Sequence, residues 1–268
     1  MKEIDHGNQA RIFLSDNGTI IKRYRENNEG LPQTEAASLQ LMAHFRIAAP
    51  RFLGFRKTGK GFDLEMARVD GIPLEDGLWM ESGAGEKVGA TLGKLHAEIH
   101  SKTLGKMPVK DLQSPPEASL LFSTDVETVR RVDKSIDAKS LLSLSQNTKV
   151  VCHGDFHPSN IMGTSESPTV IDWCDSYIGS RESDVALSIV RLRTVGLSPV
   201  ATPMEASRFE QNLVQLESAY LSSYLEQAEL NRPLVEIWGK VVAEATKRRR
   251  GNQGIANALI ERFEPRWP

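Results

Sequence analysis

Cysteine is nearly absent from this chain: Cys152 and Cys174 are the only two in 268 residues. Two thiols cannot build a disulfide framework, and so low a count suits a reducing compartment. Long apolar runs are missing as well. Nowhere do about 18 apolar residues follow one another, and the start, MKEIDHGNQARIF, carries no apolar segment behind its lysine. A cytoplasmic location with no membrane partner is the expectation. Neither sign of charge dominates, with 33 Lys and Arg against 35 Asp and Glu and a formal charge of -2. That balance removes the global electrostatic ground for a nucleic-acid partner. Internal repeats and extended low-complexity runs are lacking too. What is present is ordinary globular composition, 40% hydrophobic and 25% charged, in a chain long enough for one large domain or two lobes sharing a cleft.

Residues 1–69 read as a small sheet with one helix. Arg11 to Leu14 and Thr19 to Tyr24 are β-prone runs on either side of SDNG, where Asn17 and Gly18 are expected to supply the positive φ angles of a tight hairpin. Side chains alternate along a strand, so Ile20, Lys22 and Tyr24 share one face, and Lys22 interrupts an otherwise apolar or aromatic line. After Pro32, TEAASLQLMAHF predicts a helix with Thr34 as N-cap and Leu39, Met42 and Phe45 as its apolar stripe. Glu35 lies four residues before Leu39 and seven before Met42, on the same inward stripe. Phe62 to Ala67 reads as a further strand running into RVDGIPL, whose glycine and proline mark the boundary with residues 70–268. That second part looks mainly helical. Val88, Leu92, Leu95 and Ile99 keep helical spacing, as do Phe209, Leu213, Leu216 and Tyr220. The stretch 102–147 has proline-rich punctuation and at least one expected helix, without a role that pattern assigns.

The chemistry-bearing stretch is VVCHGDFHPSN, in which an apolar strand beginning at Val150 delivers His153, Asp155, His157 and Asn160. Two short strand candidates follow, Asn160 to Met162 and Thr169 to Trp173, joined by GTSESP. Pairing Ile161 with Ile171 would set Asn160 opposite Asp172, with Cβ atoms about 5 Å apart. Two hard oxygen ligands suit Mg2+, which takes one or two carboxylates and completes its shell with water and phosphate oxygens. Asp155 is then left to serve as a base. His153, Asp155 and Asn160 reproduce the H-x-D-x-x-x-x-N spacing of kinase catalytic loops, where the Asp is the base and the Asn and a later Asp hold magnesium. Lys22 and Glu35 match the Lys–Glu ion pair that steadies nucleotide phosphates.

On these residues the chain resembles the aminoglycoside phosphotransferase and choline kinase-like small-molecule kinases. HGDFHPSN at 153–160 is close to that family's HGDxHxxN loop, IDW at 171–173 stands where protein kinases have DFG, and DVA occupies 184–186. The resemblance implies an α+β, two-lobed protein-kinase-like fold. Its small N-terminal lobe, residues 1–69, is an antiparallel sheet with one helix; its larger C-terminal lobe, residues 70–268, is mainly helical. It further implies ATP bound between the lobes and phosphorylation of a small-molecule hydroxyl. By the same resemblance Asp155 is the base, Asn160 and Asp172 bind Mg2+, Lys22 with Glu35 serves the nucleotide phosphates, and the backbone at Ala67 and Val69 meets the adenine edge. His153 is expected to scaffold the loop and Asp184 to brace it from below. The family's phosphate-covering loop falls near Gly7 to Ala10, where GNQA has one glycine and lacks a G-x-G-x-x-G repeat.

A small acceptor is favoured over a protein. His157 stands where protein kinases carry Lys, only eleven residues separate Asp172 from Asp184, and no A-P-E segment follows. Each residue also has a duller reading: Asp155 and Asn160 as turn formers, Lys22 and Glu35 as a structural pair, Asp184 as a helix cap, His96 as a satisfied core histidine. Cys152, His153, His157 and Cys174 are zinc-ligand types, but alternation sends Cys152 and His153 to opposite faces and no CxxC pair is present. The basic run at 247–250 reads as a solvated helix end. Two competing functions remain. A metal-dependent phosphoesterase, suggested by GDFH, leaves Lys22 and Glu35 unexplained; a catalytically idle kinase-like binding module leaves the intact Lys22, Asp155, Asn160 and Asp172 set unexplained.

Overall fold

The computed structural model describes residues 1–6, 9–25, 28, 30–59, 61–103, 149–194, 202–250 and 263–268, without the side chains of 194 and 245–250. Gly7 and Asn8 of the expected phosphate-covering loop, and nearly all of 102–147, lie outside them. Five strands, β1 (Lys2–His6), β2 (Ala10–Leu14), β3 (Ile20–Tyr24), β4 (Phe52–Thr58) and β5 (Gly61–Met66), form one antiparallel sheet in the order β1-β2-β3-β5-β4. The two outer strands escaped the sequence reading because neither buries one clean face: β1 is almost wholly exposed and β4 has no buried residue. The β2–β3 turn corrects one expectation. Gly18 alone takes a positive φ, 78°, while Ser15 and Thr19 close the loop through Ser15 N–H to Thr19 O at 2.9 Å. A loop of this length needs one left-handed residue where a two-residue hairpin needs two.

Helix α1 (Leu31–Phe45) follows, with Gly30 rather than Thr34 at its N-cap. Pro32 explains the earlier start: in the first turn its missing N–H has no partner to lose. Glu35, Leu39 and Met42 are buried on one face, as the stripe requires. Residues 67–72 then lead into α2 (Leu74–Met80) and α3 (Ala84–His100), and the described chain resumes with β6 (Val150–Cys152), β7 (Ile161–Gly163), β8 (Pro168–Val170), β9 (Tyr177–Gly179), α4 (Arg181–Thr194), α5 (Pro203–Leu225) and α6 (Arg232–Arg250). Both apolar series predicted for helices fall on α3 and α5, with Leu95 and Leu213 at the margin of the core. The molecule therefore has two lobes, a sheet with one helix and a mainly helical remainder, over one continuous apolar cluster that includes Met42, Leu64, Ile161 and Tyr220. No helix among the described residues is long and apolar enough to cross a membrane.

Two antiparallel ribbons present the motif residues. Strand β6 pairs with β9, so the segment 153–176 leaves and re-enters at one ladder; within it β7 pairs with β8. The β7–β8 register differs from the expected one: Ile161 faces Val170, not Ile171, and Asn160 O accepts from Ile171 N–H at 2.9 Å. The strand stops at Val170 because the chain turns left-handed at Asp172, with φ 62°, and enters a single helical turn at Trp173–Asp175. Close by, Gly71 sits against Gly163, where a Cβ on Gly71 would come within 2.8 Å of the Gly163 Cα, and Gly163 N–H donates to Ile72 O at 3.0 Å.

Candidate active site

In the sheet, Lys22 lies between Ile12 on β2 and Leu64 on β5, so its stem is covered on both sides. Its side chain is only 8% exposed, and the ammonium is shared by two carboxylates, Glu35 at 3.1 Å and Asp172 at 2.5 Å. Glu35, itself 1% exposed, also accepts from the Tyr24 hydroxyl and from Trp173 N–H at 3.1 Å. Burial lifts Glu35 above the usual carboxylate range even beside Lys22. Enclosure pushes Asp172 the same way, but the Lys22 charge and hydrogen bond prevail and hold its pKa at about 2. For Lys22, burial opposes the charge while Glu35 and Asp172 outweigh it, so the amine stays protonated well above its ordinary value. One cation between two carboxylates is the expected Lys–Glu pair with a third member added.

The segment after β8 is fastened to α1. Trp173 is fully buried and its Nε1–H donates to Val170 O at 2.9 Å, while Ser176 and Ser38 share a hydrogen bond of 2.5 Å. Cys174 is buried, with Sγ 3.0 Å from both Asp172 Oδ1 and Gln9 Oε1. Cys152 instead contacts backbone carbonyls of Val150 and Ser180. Among the described residues, the ligand types that converge closely enough for one ion are His96, His100 and Asp184, not the Cys152, His153, His157 and Cys174 set.

The loop 153–160 hangs on Asp184. His153 N–H donates to Asp184 Oδ2 at 2.6 Å and Gly154 N–H to Oδ1 at 3.0 Å. Burial opposes ionisation of Asp184, yet His96 and His100 hold it well below the usual range. His153 is buried and neutral: burial lowers its pKa, its Nε2 reaches Ile171 O at 3.0 Å, and its Nδ1 takes the Asp155 N–H at 3.2 Å. Because Asp155 N–H is the donor, Nδ1 is the bare nitrogen and Nε2 carries the proton. The loop closes on itself through Asn160 Nδ2–H to Asp155 O at 2.9 Å. With that nitrogen committed, Oδ1 is the Asn160 atom suited to a cation.

The Asp155 carboxylate is 20% exposed and flanked by two groups: Arg191 Nε lies 2.6 Å from Oδ1, and His157 Nε2 lies 3.5 Å from Oδ2. Burial raises its pKa, but His157 and Arg191 outweigh burial and bring it below the ordinary value. Neither contact was foreseen. Arg191 stands beside Arg193 on α4, with nothing in the sequence to mark it.

Between the lobes lies a cleft of about 820 Å³ whose lining includes Lys22, Glu35, Ala67, Val69, Asn160 and Asp172. Asn160 and Asp172 thus share a wall although they are not cross-strand partners. Ala67 N–H is already donated to Arg51 O at 2.8 Å, which leaves its carbonyl for an edge-on ligand. Ile12, Ile20 and Met162 add apolar surface to the same cavity. A flat apolar slot beside hydrogen-bonding backbone, with a buried ammonium and two oxygen ligands at its inner end, has the chemistry to take a purine and a polyphosphate carrying a hard cation. The donor set fits magnesium, since it offers a carboxylate 38% exposed and an amide oxygen but no soft ligand except the protonated Cys174 thiol.

Comparison with known proteins agrees with this chemistry. The family model described as "Phosphotransferase enzyme family" matches residues 1–211. No curated protein matches the chain. Among solved structures, an aminoglycoside phosphotransferase from Streptomyces rimosus is similar at 18% identity and a TM-score of 0.60, covering 91% of this chain and 92% of that one. A choline kinase from Cryptosporidium parvum is similar at 14% identity and a TM-score of 0.54, covering 97% and 86%. At such identities the likeness concerns the fold, which is the two-lobed kinase-like one.

Proposed function

The chain belongs to the phosphotransferase enzyme family, and from that membership we infer that it moves the terminal phosphate of ATP to a hydroxyl of a small molecule. The observation that carries this reading is the meeting of Lys22 and Asp172, 150 residues apart in sequence, at 2.5 Å in the wall of one cleft. Relatives with the fold support both substrates: the Streptomyces rimosus enzyme has been captured with ADP and streptomycin, and an amicoumacin kinase with AMP-PNP and Ca2+. The 1–69 lobe would supply most of the nucleotide contacts and the 70–268 lobe the acceptor contacts.

Each residue then has a task. The Ala67 carbonyl and the Val69 backbone address the adenine edge, and Lys22, steadied by Glu35, binds phosphate oxygens. Asn160 and Asp172 would hold Mg2+, which when bound supplies positive charge to the phosphates. Asp155 accepts a hydrogen bond from the acceptor hydroxyl and aims its oxygen at the terminal phosphorus; as the new O–P bond forms and the bond to ADP breaks, the hydroxyl proton passes to the carboxylate. A lowered pKa makes Asp155 a weak base, so orientation precedes proton transfer, as suits a loose transition state. His153 and Asp184 hold the loop that carries it.

The test is a metabolite and antibiotic screen for acceptor-stimulated ADP formation, run alongside a phosphoester panel without nucleotide. ADP formation with at least one hydroxyl compound is expected. Phosphate release from the esters alone would transfer the reading to a phosphoesterase, and inertness in both arms to a binding module.

A further inference from the structure

Helices α3 and α5 run side by side, and their sequences explain how closely. Gly85, Gly89 and Gly93 recur every fourth residue on α3, and a Cβ on each would strike the backbone of Asn212, Leu216 and Tyr220 respectively. The residue separation across the contact is constant, which means the helices are parallel and in register. The same register sets His96 beside Tyr220 and His100 beside Tyr224, with each Nδ1 to hydroxyl distance 2.7 Å. On the far side of the rings, His96 Nε2 and His100 Nε2 reach Asp184 Oδ2 at 3.0 and 3.2 Å. All five side chains are fully buried.

Hydrogen-bond directions follow from chemistry. Asp184 is ionised and accepts only, so both Nε2 atoms carry protons. Burial keeps His100 neutral, with a pKa of about 3. Its Nδ1 is then a bare lone pair, and the Tyr224 hydroxyl must donate to it. The His96–Tyr220 pair has the same geometry. Asp184 consequently receives four N–H groups, two from the imidazoles and two from the His153 and Gly154 backbone. Hydrogen bonds alone satisfy the cluster, and a metal ion there would have to displace those protons.

We propose that Tyr220 and Tyr224 are positioning residues for phosphoryl transfer: their hydroxyls fix the orientation of the His96 and His100 rings, whose Nε2–H groups hold Asp184 and, through it, the His153–Gly154 backbone that carries Asp155. This rests on the role given to Asp155 above. Replacing either tyrosine by phenylalanine keeps the ring and its packing but strips the donor from Nδ1. Asp184 keeps the proton on Nε2, but the ring loses its second tether and its buried Nδ1 is left unpaired, which loosens one support of the loop.

The experiment uses full-length Tyr220→Phe and Tyr224→Phe chains, made singly so that each tests the other, and compared with the parent. Long-range proton–nitrogen NMR on histidine-labelled protein reads the tautomers, amide spectra read His153 and Gly154, and steady-state kinetics read turnover. Expected are a protonated Nε2 on both rings in the parent and in both variants, a shifted Nδ1 signal for His100 in Tyr224→Phe and for His96 in Tyr220→Phe, and shifted His153 and Gly154 amides. For turnover, about a tenfold fall in kcat is expected, with the nucleotide KM within about twofold, the size of one lost hydrogen bond. A parent ring with a bare Nε2, unchanged Nδ1 and amide signals in folded variants, or an unchanged kcat overturns the proposal. If no acceptor supports turnover, the transferase reading fails, while the ring-nitrogen and amide signals still decide this one.

Discussion

On the cleft side of the Asp155 loop, one cation, Lys22, is shared by two carboxylates; on the helical side, one carboxylate, Asp184, is shared by four N–H donors. The first arrangement carries a surplus of negative charge that a nucleotide-bound cation can relieve, and its Asp172 partner is 38% exposed. The second is fully enclosed, with three donors on Oδ2 and one on Oδ1. On the proposed reading, the groups that would exchange partners during the reaction sit in the unbalanced layer and those that would stay put sit in the saturated one. The loop between them takes its freedom from one and its position from the other.

The sharpest break of that contrast is Asp155→Asn, which keeps the loop and removes the carboxylate. Turnover should fall about 1000-fold while nucleotide affinity stays within about twofold, as kinetics and calorimetry together would read; equal turnover would remove the base assignment. Next comes Lys22→Met, which leaves Glu35 buried without its cation. A stability loss of about 3 kcal/mol is expected in urea unfolding, and a loss near zero would mean that the cleft layer is not strained. Asp172→Ala should weaken magnesium-dependent nucleotide binding about 30-fold, a charge-assisted contact's worth, with little change in binding measured without magnesium. An unchanged magnesium titration would count against its place as ligand.

The smallest effect concerns the saturated layer and acid. The His100 pKa is about 3 in the fold against 6.5 for the free group. Between those values the unfolded chain binds the extra proton, so this contribution to stability is complete above pH 6.5 and declines as pH falls towards 3. Full uptake of one proton corresponds to a slope of about 1.4 kcal/mol per pH unit. His100→Asn should flatten the stability curve between about pH 6 and 4.5 by up to that amount; a slope equal to the parent's would show that His100 is not the group that titrates.

How much of this was legible beforehand depends on the kind of feature. Lys22 and Glu35 could be read because strand alternation and helical spacing both point inward, and each residue obeys its own local period. The loop spacing from His153 to Asn160 was equally plain. The β7–β8 register was not, because the left-handed turn at Asp172 that ends the strand is a backbone event which the apolar pattern does not record. Arg191 was hidden for another reason: its pairing with Asp155 depends on where α4 lies across the loop, and one arginine in a helix looks like the next. The imidazole pairs stood half visible. His96 and His100 share a four-residue spacing with Tyr220 and Tyr224, but their meeting needed the glycines of α3 to set two helices in register.

The contact between Gly71 and Gly163 has a mechanical outcome. It staples the downstream end of the inter-lobe strap to the ribbon that bears Asn160, helped by the bridge between Pro73 and Met162. Of the residues just upstream, Ala67, Arg68 and Val69 line the cleft. On the proposed reading, a base seated there would bear directly on the strap that joins the halves.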